Sequence, residues 1–288
     1  VAQDYILLFG FVVSTFLVSL ASLFMRINWE VNLLFLLLGI LLHYRFRQDL
    51  ANIWRNTNMG WKKLSIWQQL LYGVVVLVGL SATIIEVGET DTWFYHAQSM
   101  QWIKEYAAVP GLGNIHGRFA FNSNYFVISA FYAFWFTEDQ VIFPLCSFFF
   151  VVLNFRLLWN IEQAIAKGDH RWFIIHFLLI VFFGYQAIML ISSTSTDIIS
   201  LILIFYIFLL FFETYQQSSK GLEQVTLWSL VALTVTFKLS SLLIVALLLF
   251  TIPRAMKERR LLTLISVAVL IGTPFVARNV ILSGYLLY

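Results

Sequence analysis

Three carboxylates, Glu86, Glu89 and Asp91, fall within six positions directly after the apolar run 67–85, and His96 follows five residues after Asp91. A carboxylate held at a membrane face can accept the proton that a hydroxyl loses as it attacks an activated carbon. Cations are available for the other half of such a reaction. His116 and Arg118 sit in the polar stretch Asn114-Ile115-His116-Gly117-Arg118, and Lys238 and Arg278 stand near the ends of later apolar runs. Positive groups of this kind stabilise the negative charge of a departing phosphate. Each residue also has a plainer duty. Thr90 can cap a helix whose positive end Glu89 and Asp91 would offset, His116 and Arg118 suit a solvated loop, and Lys238 and Arg278 can snorkel to lipid phosphates. His96 lies about 140° around an ideal α-helix from Asp91, so the two approach one cleft only loosely.

The elements that position these groups follow from composition. Of the 288 residues 60% are hydrophobic and 11% charged, and the mean hydropathy is +0.84, too apolar for a water-soluble globule of this length. The net charge of +3 is spread in short basic clusters between apolar runs, which excludes a nucleic-acid footprint. The single cysteine, Cys146, can form no disulfide within the chain and no cysteine metal site. A span needs roughly 20 apolar residues. Candidates are about 5–25, 30–44, 67–85, 139–161, 172–191 and 197–214, a long stretch 224–253, and 261–277. The expected fold is all-α, a polytopic transmembrane bundle. Asp197, after Ser192-Ser193-Thr194-Ser195-Thr196, starts a helix or lines the same cavity as the acids. Arg156, in a span with Asn154 and Asn160, carries no assigned role.

Orientation comes from Lys and Arg. Twelve of the eighteen lie in connectors at 45–63, 167–171, 220 and 254–260, which the positive-inside rule places in the cytoplasm. Parity then requires 224–253 to cross twice, as two short helices turning at Phe237-Lys238-Leu239-Ser240. About nine crossings result, with residues 1–66 as an N-terminal pair and basic connector and 67–288 as the core of one transmembrane domain. The acids and the loop 86–138 face outward from the cytoplasmic membrane. Both ends read as trimmed, since the chain starts at Val1 and stops at Tyr288 without a polar tail.

Within that loop, Trp93, Phe94, Tyr95, Trp102 and Tyr106 suit the headgroup level of a helix running from Thr90 to about Tyr106. Val109-Pro110-Gly111-Leu112-Gly113-Asn114 breaks it, and a second aromatic helix spans about Ser123 to Phe136. An acidic cluster at the outer end of an early span, two interfacial helices and further spans together resemble the GT-C (C-type) glycosyltransferase superfamily. Asp91-Thr92-Trp93-Phe94-Tyr95-His96, the Val109 to Arg118 stretch and Phe121-Asn122-Ser123 are similar to a group of largely uncharacterised bacterial members. Thr236-Phe237-Lys238-Leu239-Ser240 and Arg278-Asn279 with Ser283-Gly284-Tyr285 agree. The likeness covers about 67–288, and because more chain usually follows in such proteins, it implies a missing C-terminal part.

The resemblance implies an inverting enzyme that moves a sugar from a polyprenyl-phosphate donor to a glycan, lipid or protein acceptor outside the membrane. It makes Asp91 the general base, with Glu89 and Glu86 as rivals, and His96, His116, Arg118, Lys238 and Arg278 the substrate and phosphate ligands. No cofactor is implied with certainty. Three acids can hold a divalent cation through oxygen, although a monophosphate donor does not require one. A lipid-linked glycan polymerase or ligase, relying on Arg and His, is a second reading. A non-enzymatic transporter is a third, against which the acids cluster at one face rather than at the midplane.

Overall fold

The computed structural model describes residues 2–84, 89–133, 144–190, 192–216 and 221–288, and these are helical with no strand among them. Among the described residues, five helices are long and apolar enough to cross a membrane: α1 (Ala2–Ala21, apolar from Asp4), α4 (Ile66–Thr83), α7 (Pro144–Lys167), α9 (Thr196–Gln216) and α13 (Leu261–Ser283). A sixth candidate is the bent pair α2 (Trp29–Arg45) and α3 (Arg47–Lys63). The other helices are α5 (Ala97–Glu105), α6 (Asn124–Tyr132), α8 (His170–Leu190), α10 (Gly221–Phe237), α11 (Ala246–Leu249) and α12 (Ile252–Lys257), with shorter apolar stretches over His170–Phe182 and Gly221–Phe237. Glu86 and Lys220 lie outside the described residues.

The chain forms two compact units. One comprises Val1–Asn28, Glu89–Trp135 and Thr194–Tyr288, and it contains every described candidate site residue. Its core packs Leu8, Tyr125, Leu203, Tyr206 and Phe237, all fully buried or nearly so. The C-terminal ends of α1, α10 and α13 and the N-terminal end of α9 converge on the segment 89–133. Ser22 O, just past α1, accepts from Ala108 N at 2.9 Å, and Ile281 O in α13 accepts from Gly111 N at 2.8 Å. Ser123 Oγ donates to Phe237 O at 2.7 Å while capping α6, and Asn122 Nδ2 donates to Phe275 O at 3.0 Å. The opposite end is basic, with Arg254 Nη1 donating to Thr214 O at 3.0 Å.

The stretch after α10 doubles back where the sequence places a turn. Lys238 is extended (φ −149°, ψ 116°), and Leu239–Val245 then winds as a 3₁₀ helix before α11. At about 2.0 Å per residue, seven such residues rise about 14 Å, so a short segment gains the length that an α-helix of equal count lacks. The expected interfacial position is corrected for α6: Asn124 to Phe131 are all buried, packed by α1, α5 and α10. Its apolar residues have no polar face to float on, so they pack into protein. The first helix fits the interface better, since Trp93, Phe94 and Tyr106 are exposed while Ser99, Met100 and Ile103 face inward.

Gly111 makes the sharp turn between them in the left-handed region at φ 69°, which favours glycine, and its N–H is the one held by α13. Gly111→Ala is expected to cost about 1 kcal/mol through that backbone strain, seen as a lower thermal midpoint in detergent, whereas Gly60→Ala, with open space at its Cβ, lowers nothing.

The other unit comprises Trp29–Gly88 and Phe136–Ser193. In it α7 packs against α8 and α4, and α4 opens with a capping box in which Ser65 and Gln68 satisfy each other's backbone N–H. Gly79 lets α4 approach α7 so closely that an added Cβ would come within 2.6 Å of Val151 Cγ2, the small-residue contact favoured between apolar helices.

Candidate functional site

The helix after the acids does not start as an α-helix. Thr92–His96 forms a π-turn, with Ala97 N–H bonding to Thr92 O five residues back. One π-turn narrows the angle between residues five apart from about 140° to about 50°, so Asp91 and His96 lie closer around the axis than a regular α-helix would place them. Such turns recur at functional sites. Asp91 has helical dihedrals and its carboxylate caps nothing. It turns instead to Arg118, with Arg118 Nη1 at 3.3 Å from Asp91 Oδ1, and both side chains are about half exposed at 47% and 46%. An exposed pair of this kind adds at most about 1 kcal/mol of stability. Asp91 thus makes no capping hydrogen bond, and in the first turn of the helix its charge offsets the positive helix end as well as pairing with Arg118.

Arg118 is held from three directions. Its guanidinium lies 4.9 Å above the Tyr95 ring, its backbone N–H donates to His116 Nδ1 at 3.2 Å, and its side chain meets Asp91. His116, exposed, caps the 3₁₀ turn Gly117–Ala120 and so positions Arg118. Burial, and then the Asp91 charge, push the Tyr95 hydroxyl above its ordinary range, so it stays a neutral donor.

Behind this pair lies a buried chain of hydrogen bonds. Thr92 Oγ1 donates to Glu89 Oε2 at 3.1 Å and is 3.0 Å from Thr194 Oγ1, which is 3.1 Å from His96 Nδ1. Each hydroxyl has one proton to give. Because the Thr92 proton goes to the carboxylate, Thr194 donates to Thr92, and His96 donates from Nδ1 to Thr194. Proton economy thus assigns the Nδ1–H tautomer and leaves Nε2 its lone pair. His96 is buried against Tyr95 and Phe126, at ring distances of 4.3 and 4.9 Å. Burial lowers its pKa below 6.5, against the opposing pull of Glu89 and Asp91 and with a lesser lowering from Arg118. A neutral imidazole with a free acceptor nitrogen suits a hydroxyl better than a phosphate, which has no proton to offer at its ionised oxygens.

That depressed pKa predicts a pH dependence with a definite sign. Between the folded pKa and 6.5 the unfolded chain holds more protons on this residue than the folded one. Stability is therefore highest above 6.5, falls as pH drops through that value and levels off below the folded pKa. The thermal midpoint of the wild type, followed from pH 8 to about 5, should fall more than that of His96→Gln; parallel curves would refute the assignment.

A second acid–cation pair adjoins this chain. Lys238, from the turn after α10, forms an ion pair with Asp197 in the first turn of α9, three residues beyond Thr194. The hydroxyl run 192–195 is buried throughout. Thr194 is the joint of the site, and nothing in its residue type had singled it out. The available signal was five consecutive Ser and Thr residues in an apolar chain.

Arg278 stands apart. It is 4% exposed, donates from Nη1 to Ser22 O at 3.3 Å and Ser22 Oγ at 3.1 Å, and has no partner at Nε among the described residues. It lines a water-sized cavity of about 20 Å³ with Ser99, whose hydroxyl is also unpartnered. Phe121 and Phe126 separate that cavity from Tyr95 and His96. Among the described residues, no three His, Cys, Asp or Glu side chains converge as a metal site. A groove of about 410 Å³ runs along α5, lined by Gln98, Gln101, Trp102, Glu105, Tyr106 and Phe119.

A family model described as a domain of unknown function, DUF8201, matches residues 3–288. No curated protein and no solved structure matches the chain.

Proposed function

The chain belongs to the DUF8201 family, and from the site it carries we propose a membrane glycosyltransferase of the GT-C kind that uses a polyprenyl-phosphate-linked sugar. The observation that carries this reading is the half-exposed Asp91–Arg118 pair, backed by neutral His96, on a segment to which apolar helices deliver their ends. An isoprenoid tail must stay in hydrocarbon, so the anomeric carbon of such a donor lies just beyond the headgroups. In the proposed step an acceptor hydroxyl oxygen bonds to that carbon from the face opposite the phosphate, the carbon–oxygen bond to phosphate breaks, and the hydroxyl proton passes to Asp91. The configuration inverts. Arg118 can swing from Asp91 to the departing phosphate, joined by Lys238, while His96 Nε2 accepts from and orients the acceptor hydroxyl. The acceptor is a glycan, lipid or protein. The groove along α5 supports a glycan, since its flat aromatic faces alternate with amide and carboxylate groups.

Nine crossings, with the N-terminus in the cytoplasm of a bacterial cell and the site on the outer face of the inner membrane, accord with the basic connectors and with α1, α10 and α13 ending together. The test is transfer from a radiolabelled polyprenyl-phosphate sugar in proteoliposomes, with the anomeric configuration of the product determined. Inverted product supports the reading. Retention, or sugar flux without transfer, defeats it. If Arg118→Ala abolishes glycan extension while Asp91→Asn does not, the polymerase or ligase reading replaces it.

A further inference from the structure

Helix α3 has no buried residue, although its sequence is strongly two-faced. At about 100° per residue, Leu50, Ile53, Trp54 and Trp61 fall on one arc of roughly 100°, and Gln48, Asn52, Arg55, Lys62 and Lys63 face the other way. Leu50, Trp54 and Trp61 are 40%, 73% and 41% exposed, which is costly in water. The helix is too polar to cross a bilayer itself, yet it is tied between two apolar helices. Phe46 alone joins it to α2, and Leu64 and Ser65 join it to α4. Its axis is bent 84° from that of α2. If α2 and α4 stand in the bilayer, connections this short and this bend leave α3 only the membrane plane.

The orientation of its apolar arc is fixed by α4. Trp61 packs edge-on against Tyr72, ring centroids 6.0 Å apart, and Tyr72 lies six residues, about 9 Å, beyond the start of α4. The Trp54 side of the helix thus points the way α4 runs, toward hydrocarbon, and the basic side points to water and headgroups. From Arg45 to Lys63 there are five basic residues and one acid, Asp49. Arg45 and Arg47 lie over the Phe46 and Tyr44 rings at 5.2 and 5.5 Å, the stacking of cations at an aromatic interface.

We propose that α3 is an in-plane helix that binds the anionic lipid surface of the leaflet at the α2–α4 end, with Trp54 and Leu50 in the acyl boundary and Arg55, Lys62 and Lys63 on lipid phosphates. Its basic excess and the cytoplasmic placement of such connectors match the leaflet that carries anionic lipid. The assignment is independent of any glycosyl transfer.

The test uses the full-length protein with Cys146→Ser, reconstituted into vesicles of phosphatidylcholine or of a two-to-one mixture with phosphatidylglycerol. Spin labels at Leu50→Cys and Asn52→Cys are expected to report opposite environments in the mixed vesicles, oxygen-accessible at 50 and accessible to a water-soluble nickel chelate at 52. Replacing Arg55, Lys62 and Lys63 with Gln preserves helix propensity. It should lower the retention of spin-labelled phosphatidylglycerol over phosphatidylcholine by about fivefold for each charge removed. Nickel access at both positions, or shielding of both from both reagents, overturns the membrane placement; equal phosphatidylglycerol retention by the variant and the wild type overturns the lipid assignment.

Discussion

If the proposed glycosyl transfer holds, Asp91→Asn is expected to lower it by about 10² to 10⁴-fold, the contribution of one positioned general base. Asparagine keeps the shape of the side chain and one acceptor oxygen for Arg118 but cannot take the acceptor's proton. The fold should be unaffected, because the carboxylate is half exposed and its pair with Arg118 contributes under about 1 kcal/mol. The informative result is therefore a split: an unchanged thermal midpoint and unchanged donor binding, with transfer lost. Turnover at the wild-type rate would remove Asp91 from the mechanism. Glu89→Gln provides the contrast. Glu89 receives the proton of Thr92, so its loss should act on the buried chain as well as on any chemistry.

Thr194→Val should be the most damaging small substitution in the site. It keeps the volume and deletes the one oxygen that joins His96 to Thr92. The nearly buried His96 Nδ1 then loses its partner, at about 1–3 kcal/mol, while Thr92 Oγ1 keeps Glu89 and the Thr194 backbone N–H, which donates to it at 3.4 Å. Without Thr194 to receive its proton, His96 is no longer held in the Nδ1–H tautomer, so transfer should fall beyond what the stability loss explains. Thr194→Ser, which restores the oxygen, should recover both. A double-mutant cycle with His96→Gln should give a coupling of about 0.5–3 kcal/mol, as for contacting residues in one network. Additive effects would show that the chain is not a unit.

The two variants differ in what they expose about the molecule. Asp91 stands at a half-open surface, where charge is cheap to hold. The Thr194 chain works in the interior, where every proton must have an assigned destination. The π-turn links them, because it brings Asp91 and His96 closer around the helix axis and leaves Thr92 between them in the chain, bonded to Thr194.

The sequence by itself determined the solvent, the helical class and the ends at which chemistry could sit. Apolar runs of span length need no tertiary information, since each helix satisfies its own backbone wherever it stands. The same holds for the turn at Lys238, where apolar continuity breaks at a charge, and for the break at Val109 to Asn114, whose glycines and proline dictate local geometry. The candidate acids and cations were also legible, because ionisable groups are conspicuous in so apolar a chain. Their partners were not. Asp91 and Arg118 are 27 positions apart, His96 and Thr194 are 98 apart, and Lys238 reaches Asp197 from another helix end. Arg278 showed the same charge as Arg118 in the sequence, and only packing sealed it against Ser22 behind Phe121 and Phe126. The π-turn, too, was decided by tertiary structure. A regular α-helix would satisfy the local backbone equally well, and the contacts made in and beside the turn, His96 with Thr194 and Asp91 with Arg118, come from far along the chain.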